Sequence, residues 1–237
     1  MNYSHPLLRY PRYLARKSGI LGFLERTSIY SAGNDESKFA KVMLSDIHPG
    51  DIVWDVGASI GWYTTPFSDA VGDSGMVVAF EPYPTVFESL TKSISSRKNV
   101  QLENAALGDF DGEADLYVSR AEGGDYDLFQ LAVGQNNPRF KSKVQVAVMK
   151  GDTYRAAKPH LAPNKIKIDV EGFEYEVLRG LAETLKSTPH LSLFIEMHFT
   201  CMRERGLPDA PAKIVSLLKD NRFQTKWIGP CYMVASK

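Results

Sequence analysis

The stretch "KIKIDVEGFEYEVLRG", Lys165–Gly180, decides how this chain is read. Ile166, Ile168 and Val170 alternate with Lys167, Asp169 and Glu171, the period of two that a strand imposes on its faces. A helical pattern follows at once. A central strand of an α/β sheet is normally apolar on both faces, because helices cover both. Two neighbouring carboxylates repel, and burial disfavours their charged forms, so a face carrying Lys167, Asp169 and Glu171 is costly. Such a face serves either an ion-pair cluster tying strand to helix or an active site. The second reading makes these three residues candidate catalytic groups.

Outward from that stretch the pattern is strand, helix, strand. "DIVWDVG" (51–57), "GMVVAFEP" (75–82) and "NVQLENAAL" (99–107) read as strands, with helical segments between them. "HLSLFIEMH" (190–198) is a further strand, and "RFQTKWIG" (222–229) with "CYMVASK" (231–237) forms a terminal hairpin. This alternation predicts an open, seven-stranded, mostly parallel α/β sheet with helices on both faces and one antiparallel strand in the C-terminal hairpin. "EADLYVSR" (113–120) and "KVQVAVMK" (143–150) read as two short strands outside that series. Between them, residues 120–142 have no clear period and read as a lid-like insert. Tyr126, Phe129 and Phe140 there are candidates to stack on a substrate ring, and Asn136 and Asn137 to bond hydroxyls. The domain reading is a basic helical segment over 1–33 and a single domain over 34–237.

The turn "DVGASIG", Asp55–Gly61, joins the first strand to its helix, where open sheets bind ligands. Its spacing is D-x-G-x-x-x-G. A dinucleotide fingerprint counted from Gly57 would need glycines at Ser59 and Trp62. Asp55 is placed to meet an ammonium, and Glu81, ending the second strand, to accept from ribose hydroxyls. Asn104 and Asp109, at the end of the third strand, are candidate contacts to adenine, although a plain turn accounts for them equally. On the strand 190–198, Glu196 and His198 share a face at the functional end, and His198 is the best-placed candidate general base.

"DVGASIGWYT", "VVAFEPYPTVFESL", "VQLENAALGDFDGEADLYV" and "IKIDVEGFEYEVLRG" occur in the order found in FkbM-family methyltransferases, and from about Asp51 to His198 the chain resembles that family. The resemblance implies a class I methyltransferase-like (Rossmann-like) fold and O-methylation of a sugar, glycan or secondary metabolite. It implies that Asp55, Gly57, Ala58, Gly61 and Glu81 hold S-adenosylmethionine. Ser59 stands where the family often has asparagine. For the chemistry, Asp169, Glu171, His198 and Lys167 are the candidates: a carboxylate or His198 takes the acceptor's proton. Alternatively, Asp169 and Glu171 ligate Mg²⁺. Rival readings are a NAD-dependent oxidoreductase of a sugar nucleotide, and a non-catalytic α/β binding module.

Lysine plus arginine and aspartate plus glutamate both number 28, giving zero net charge, which argues against a nucleic-acid partner. The two cysteines, Cys201 and Cys231, have no metal-ligand spacing and suggest a reducing, cytoplasmic setting. Arg9, Arg12, Arg16, Lys17 and Arg26 face Glu25 alone in the N-terminal segment. That segment reads as a helix on its own domain or as a peripheral membrane contact. No apolar run has the length of a membrane span. The sequence gives no indication of oligomeric state.

Overall fold

The computed structural model describes residues 35–120, 126–131 and 142–237. The chain divides into two compact units, 1–43 and 44–237. Of the first, the described part is residues 35–43, in helix α1 (Asp35–Asp46). The second carries the expected sheet. Its strands are β1 (Ile52–Val56), β2 (Met76–Phe80), β3 (Val100–Glu103), β8 (Lys165–Ile168), β9 (Ser192–Glu196), β10 (Gln224–Ile228) and β11 (Tyr232–Ser236). They lie in the order β10-β11-β9-β8-β1-β2-β3. Every pair from β9 to β3 is parallel, and β11 is antiparallel to both its neighbours. Chain order runs from β1 outward to β3, then resumes at β8 on the other side of β1. That reversal opens a crevice at the carboxyl ends of β1 and β8.

The main core packs Trp54, Phe80, Ile166, Ile168 and Ile195 of the sheet against Val177, Leu178, Ile214 and Leu218 from helices α5 (Glu174–Arg179) and α8 (Ala210–Asp220). A smaller cluster, Ala58, Ala79, Leu90 and Ile94, seats helix α3 (Pro84–Ser93). Trp54, Phe80 and Tyr154 meet edge to face with centroids 5.1–5.3 Å apart. Each ring's positive edge faces another's negative face, an arrangement worth about 0.5–1.5 kcal/mol per pair beyond burial.

Three expectations are corrected. The segment 99–107 is two strands: β3 ends at Glu103, and β4 (Ala106–Gly108) joins a second sheet. That sheet has the order β4-β7-β5-β6, with β5 (Gly112–Arg120), β6 (Tyr126–Leu131) and β7 (Ser142–Lys150). The split falls at Asn104, whose amide donates to the carbonyls of Glu81 and Pro82 and turns the chain away from β2. The insert therefore contains a strand, β6, paired antiparallel with β5. Residues 121–125 and 132–141, with Asn136, Asn137 and Phe140, lie outside the described residues, as do the side chains of Tyr126 and Phe129.

The helical pattern that follows the charged stretch is also two helices: α5, and α6 (Ala182–Ser187). It breaks at Gly180, where an added Cβ would stand 1.8 Å from the carbonyl oxygen of Gly108. The second sheet presses on the helix there, and glycine is the residue that admits it. Finally, β8 stops at Ile168, and Glu171 has φ +51°, so the alternation read through Glu171 is a turn in its second half.

Gly180→Ala places a methyl group against a backbone atom that cannot rotate away. Overpacking costs about 1–3 kcal/mol, so the melting temperature should drop by roughly 3–10 °C in calorimetry.

Candidate active site

The turn after β1 is built by three residues with positive φ, Gly57 at 79°, Ser59 at 51° and Gly61 at 95°. The N–H groups of Gly57 and Ala58 both donate to the carbonyl of Phe80, and that of Gly61 donates to Ala58. The N–H of Ser59 donates to Glu81 Oε2 at 3.0 Å, and that of Tyr83 to Glu81 Oε1 at 2.9 Å. All four of these turn amides are thus taken by protein oxygens. A pyrophosphate cradle needs such amides free. Glu81 itself is 6% exposed. Burial raises its pKa to about 7, against the pull of the Tyr83 and Ser59 amides and of Lys167. Each of its oxygens accepts one backbone bond and keeps acceptor capacity for a ribose hydroxyl. The carbonyl oxygen of Asn104 has no partner among the described residues.

Glycine at 57 answers to more than a ligand's approach. A Cβ there would stand 1.9 Å from the carbonyl oxygen of Asp169, the first residue beyond β8. The two strand ends are fastened from below. Asp55 and Lys167 are neighbours in register across β1 and β8. Lys167 is 3% exposed, and its ammonium meets three acceptors: Gly57 O at 2.9 Å, Asp55 Oδ1 at 3.2 Å and Asp169 Oδ2 at 3.3 Å. Burial works against that charge, but Asp55 and Asp169 outweigh it and hold the ammonium above its ordinary pKa. Lys167 is accordingly a fixed cation. Asp55 is fully buried, with Oδ2 accepting the Thr64 hydroxyl at 2.7 Å. It braces the turn from beneath, which corrects the expectation of a carboxylate open to an ammonium.

Beyond the ends of β8 and β9 the acidic groups converge on one histidine. His198 Nε2 lies 3.5 Å from Glu171 Oε2, 3.7 Å from Asp169 Oδ1 and 3.9 Å from Glu196 Oε1. Its Nδ1 is 2.6 Å from Glu174 Oε1, which also accepts the Gly172 N–H at 3.0 Å. Glu171 reaches the group through its left-handed backbone and that of Gly172 (φ 98°). The fit is tight: a Cβ on Gly172 would meet Cys201 Cβ at 2.7 Å, in helix α7 (Phe199–Glu204).

Burial opposes a charge on His198, but the bond to Glu174 and the charges of Glu171, Glu174 and Asp169 prevail and raise its pKa well above 6.5. The acids around the ring therefore favour its protonated form. Burial, and then the charge of Asp169, push Glu196 up to about 8; burial likewise raises Glu171. Both carboxyls resist ionising because each is enclosed beside other acids. Donor atoms of Asp169, Glu196 and His198 all fall within 4.8 Å of one another, a set that a divalent cation could bridge. Asp109 pairs with Arg179 at 2.9 Å. The contact of Glu174 with His198 was not legible in the sequence, since two acids in a first helical turn are ordinary dipole partners. Only Glu176 is ordinary in that sense, paired with Arg205 at 2.6 Å.

The sequence pattern of the methyltransferase FkbM domain matches residues 55–225. The hexuronic acid methyltransferase AglP of Haloferax volcanii is 26% identical over 192 residues, covering 81% of this chain and 71% of that protein. Methyltransferase 1 of Beauveria bassiana is 30% identical over 142 residues, 54% of this chain and 57% of that protein. Among solved structures, methyltransferase FkbM from Methylobacillus flagellatus superposes with a TM-score of 0.50 at 17% identity. That match covers 81% of this chain and 44% of the other, so this chain spans less than half of that relative. Precorrin-6y C5,15-methyltransferase from Geobacter metallireducens superposes at 0.51 with 13% identity, covering 85% of this chain and 88% of the other. Identities this low bear on the fold alone, and the expected class I methyltransferase-like sheet is borne out. Among the described residues no helix is long and apolar enough to cross a membrane.

Lys167→Met leaves Asp55 buried and uncompensated. Breaking a buried pair in this way costs about 3–5 kcal/mol, measurable as a lowered urea midpoint. Adding Asp55→Asn removes the stranded charge and should recover much of the loss.

Proposed function

Since this chain belongs to the FkbM methyltransferase family, we propose that it transfers the methyl group of S-adenosylmethionine to a hydroxyl of a sugar, glycan or secondary metabolite. One observation carries the reading: a turn with four amides spent internally, and the Glu81 carboxyl at its side, leads to a convergent acid group past β8 and β9. The turn's saturated amides count against a dinucleotide. The donor supplies an electrophilic methyl carbon on a sulfonium. The acceptor oxygen attacks that carbon, the carbon–sulfur bond breaks with its electron pair passing to sulfur, and the hydroxyl proton leaves to a carboxylate. Much of the acceleration comes from holding the reacting atoms in line.

Asp169 is the proposed proton acceptor. Its oxygens lie 3.3 Å from the Lys167 ammonium and 3.7 Å from His198 Nε2. Glu171 and Glu196 complete the pocket, and Glu174 holds the ring of His198. Gly57, Ala58, Gly61 and Asn104 shape the cofactor turn, while Asp55 and Lys167 brace it. Tyr126, Phe129 and Asn136 of the insert stay proposed acceptor contacts. A second reading rests on the proximity of Asp169, Glu196 and His198, with the Glu174 contact orienting the ring as outer partners of metal-bound histidines do. There, Mg²⁺ or Mn²⁺ would bind the acceptor hydroxyl and acidify it.

Calorimetry should show binding of S-adenosylmethionine and of its demethylated product, with none for NAD; the reverse would overturn the proposal. Ribose hydroxyls favour the ionised form of Glu81, whose pKa in the unliganded protein is about 7. Below that pH the proton must leave before the ribose binds, so affinity should fall as pH drops through 7 and level off above it. Proton release measured in two buffers of different ionisation enthalpy checks this, and Glu81→Gln should flatten the profile.

Asp169→Asn should keep the fold and cofactor binding while turnover falls about 10²–10⁴-fold, the usual worth of a general base. Unchanged turnover would make the charged cluster structural. Chelator sensitivity reversed by Mg²⁺ or Mn²⁺ would select the cation reading over the metal-free one.

A further inference from the structure

Two large aromatic side chains face solvent beside the acidic pocket and have no part in the scheme above. Phe199 opens α7 directly after His198, and Trp227 lies near the end of β10; each keeps 42% of its surface exposed. Their rings are stacked, with centroids 6.1 Å apart and planes 26° from parallel. Carbon atoms in van der Waals contact sit about 3.5–4.0 Å apart. The rings are therefore offset sideways and form one broad apolar ledge. Holding so much aromatic surface in water is unfavourable unless something covers it.

Register fixes where the ledge lies. Trp227 pairs with Met233, and Met233 with Ile195, the residue before Glu196. Two strand spacings, roughly 10 Å, separate Trp227 from β9. Because β11 is antiparallel to both, β9 and β10 run the same way, and the ledge stands at the same end of the sheet as the pocket. Arg203 follows Phe199 by four residues in α7, which brings the two to one helix face. Arg203 is exposed, and its guanidinium makes no hydrogen bond or ion pair among the described residues. Arg205, two residues on, is by contrast buried against Glu176.

We propose that Phe199, Trp227 and Arg203 form an acceptor subsite for an acidic sugar, its ring laid on the ledge and its carboxylate on the Arg203 guanidinium. This rests on the methyl-transfer function proposed above and adds the substrate class. The C–H-rich face of a pyranose is apolar enough to cover the ledge, and the guanidinium fork matches a carboxylate in two parallel bonds. The placement also orients the substrate. With the acid held outward on Arg203, the hydroxyl edge of the ring turns toward the pocket. Along the helix, Arg203 stands about 6 Å from Phe199, a span its side chain closes over one sugar ring.

The test uses the full chain saturated with S-adenosylhomocysteine and titrated with methyl β-glucuronide or methyl β-glucoside, read by ligand-observed NMR. The glucuronide should bind about tenfold more tightly, the worth of one charge-assisted pair. Arg203→Gln should erase that preference and leave the glucoside unaffected. Trp227→Ala should weaken both sugars severalfold. All three residues are on the surface, and unchanged thermal melts confirm that the variants fold. The subsite is overturned if neither sugar binds, if both bind equally, or if the preference survives Arg203→Gln. It is overturned too if the protein dimerises and Trp227→Ala abolishes the dimer, which would assign the ledge to a second copy. Binding of S-adenosylhomocysteine is measured first: its failure strikes the methyl-transfer proposal, while its success with indifferent sugars strikes the subsite alone.

Discussion

One buried ammonium sets the geometry of this protein's working end. Lys167 reaches from the middle of the sheet to a carbonyl of the turn after β1, to the carboxylate beneath that turn, and to the first carboxylate beyond its own strand. It donates to the carbonyl of Gly57 and lies within 3.3 Å of a carboxylate oxygen of Asp55 and of Asp169. The turn after β1 and the acid group hang from opposite sides of one charge. With Gly57 and the carbonyl of Asp169 allowing no Cβ between them, the two strand ends keep a fixed separation. Methyl transfer needs that constraint, because alignment of two bound molecules supplies much of its rate.

Around this fixed cation the protein accumulates acids that a stable core would avoid. Asp169, Glu171, Glu174 and Glu196 all approach one imidazole, and two of them are driven toward their neutral forms. The Lys167 ammonium and the His198 ring, whose protonated form these acids favour, offset part of the repulsion. Perturbed acids gathered beside one another are what the proposed proton transfer would use.

The alternation of strands and helices announced the seven-stranded sheet, and the hairpin at its end, because each rests on local periodicity. The charges at Lys167, Asp169 and Glu171 likewise marked the stretch where ionisable groups gather. Local pattern also misled. Residues 99–107 look like one strand, and only the amide of Asn104, bonded to Glu81 and Pro82, shows where the chain leaves one sheet for another. Glu171 shares the cluster through a left-handed turn, although the alternation in sequence suggested a strand. Glu174 resembled an ordinary acid at a helix start until His198 was seen against it.

By itself the sequence determined which residue types occupy the strand ends, and hence the fold class, the family and most of the candidate chemistry. Periodicity and spacing are properties of neighbours in the chain, so they can be read there. The tertiary structure alone decided what each charge does. It turned Asp55 and Lys167 into a brace, set His198 among acids that raise its pKa, and brought Phe199 and Trp227, 28 positions apart in the sequence, into one ledge. A side chain's protonation and exposure depend on what surrounds it, and those surroundings come from distant segments that meet only once the chain has folded.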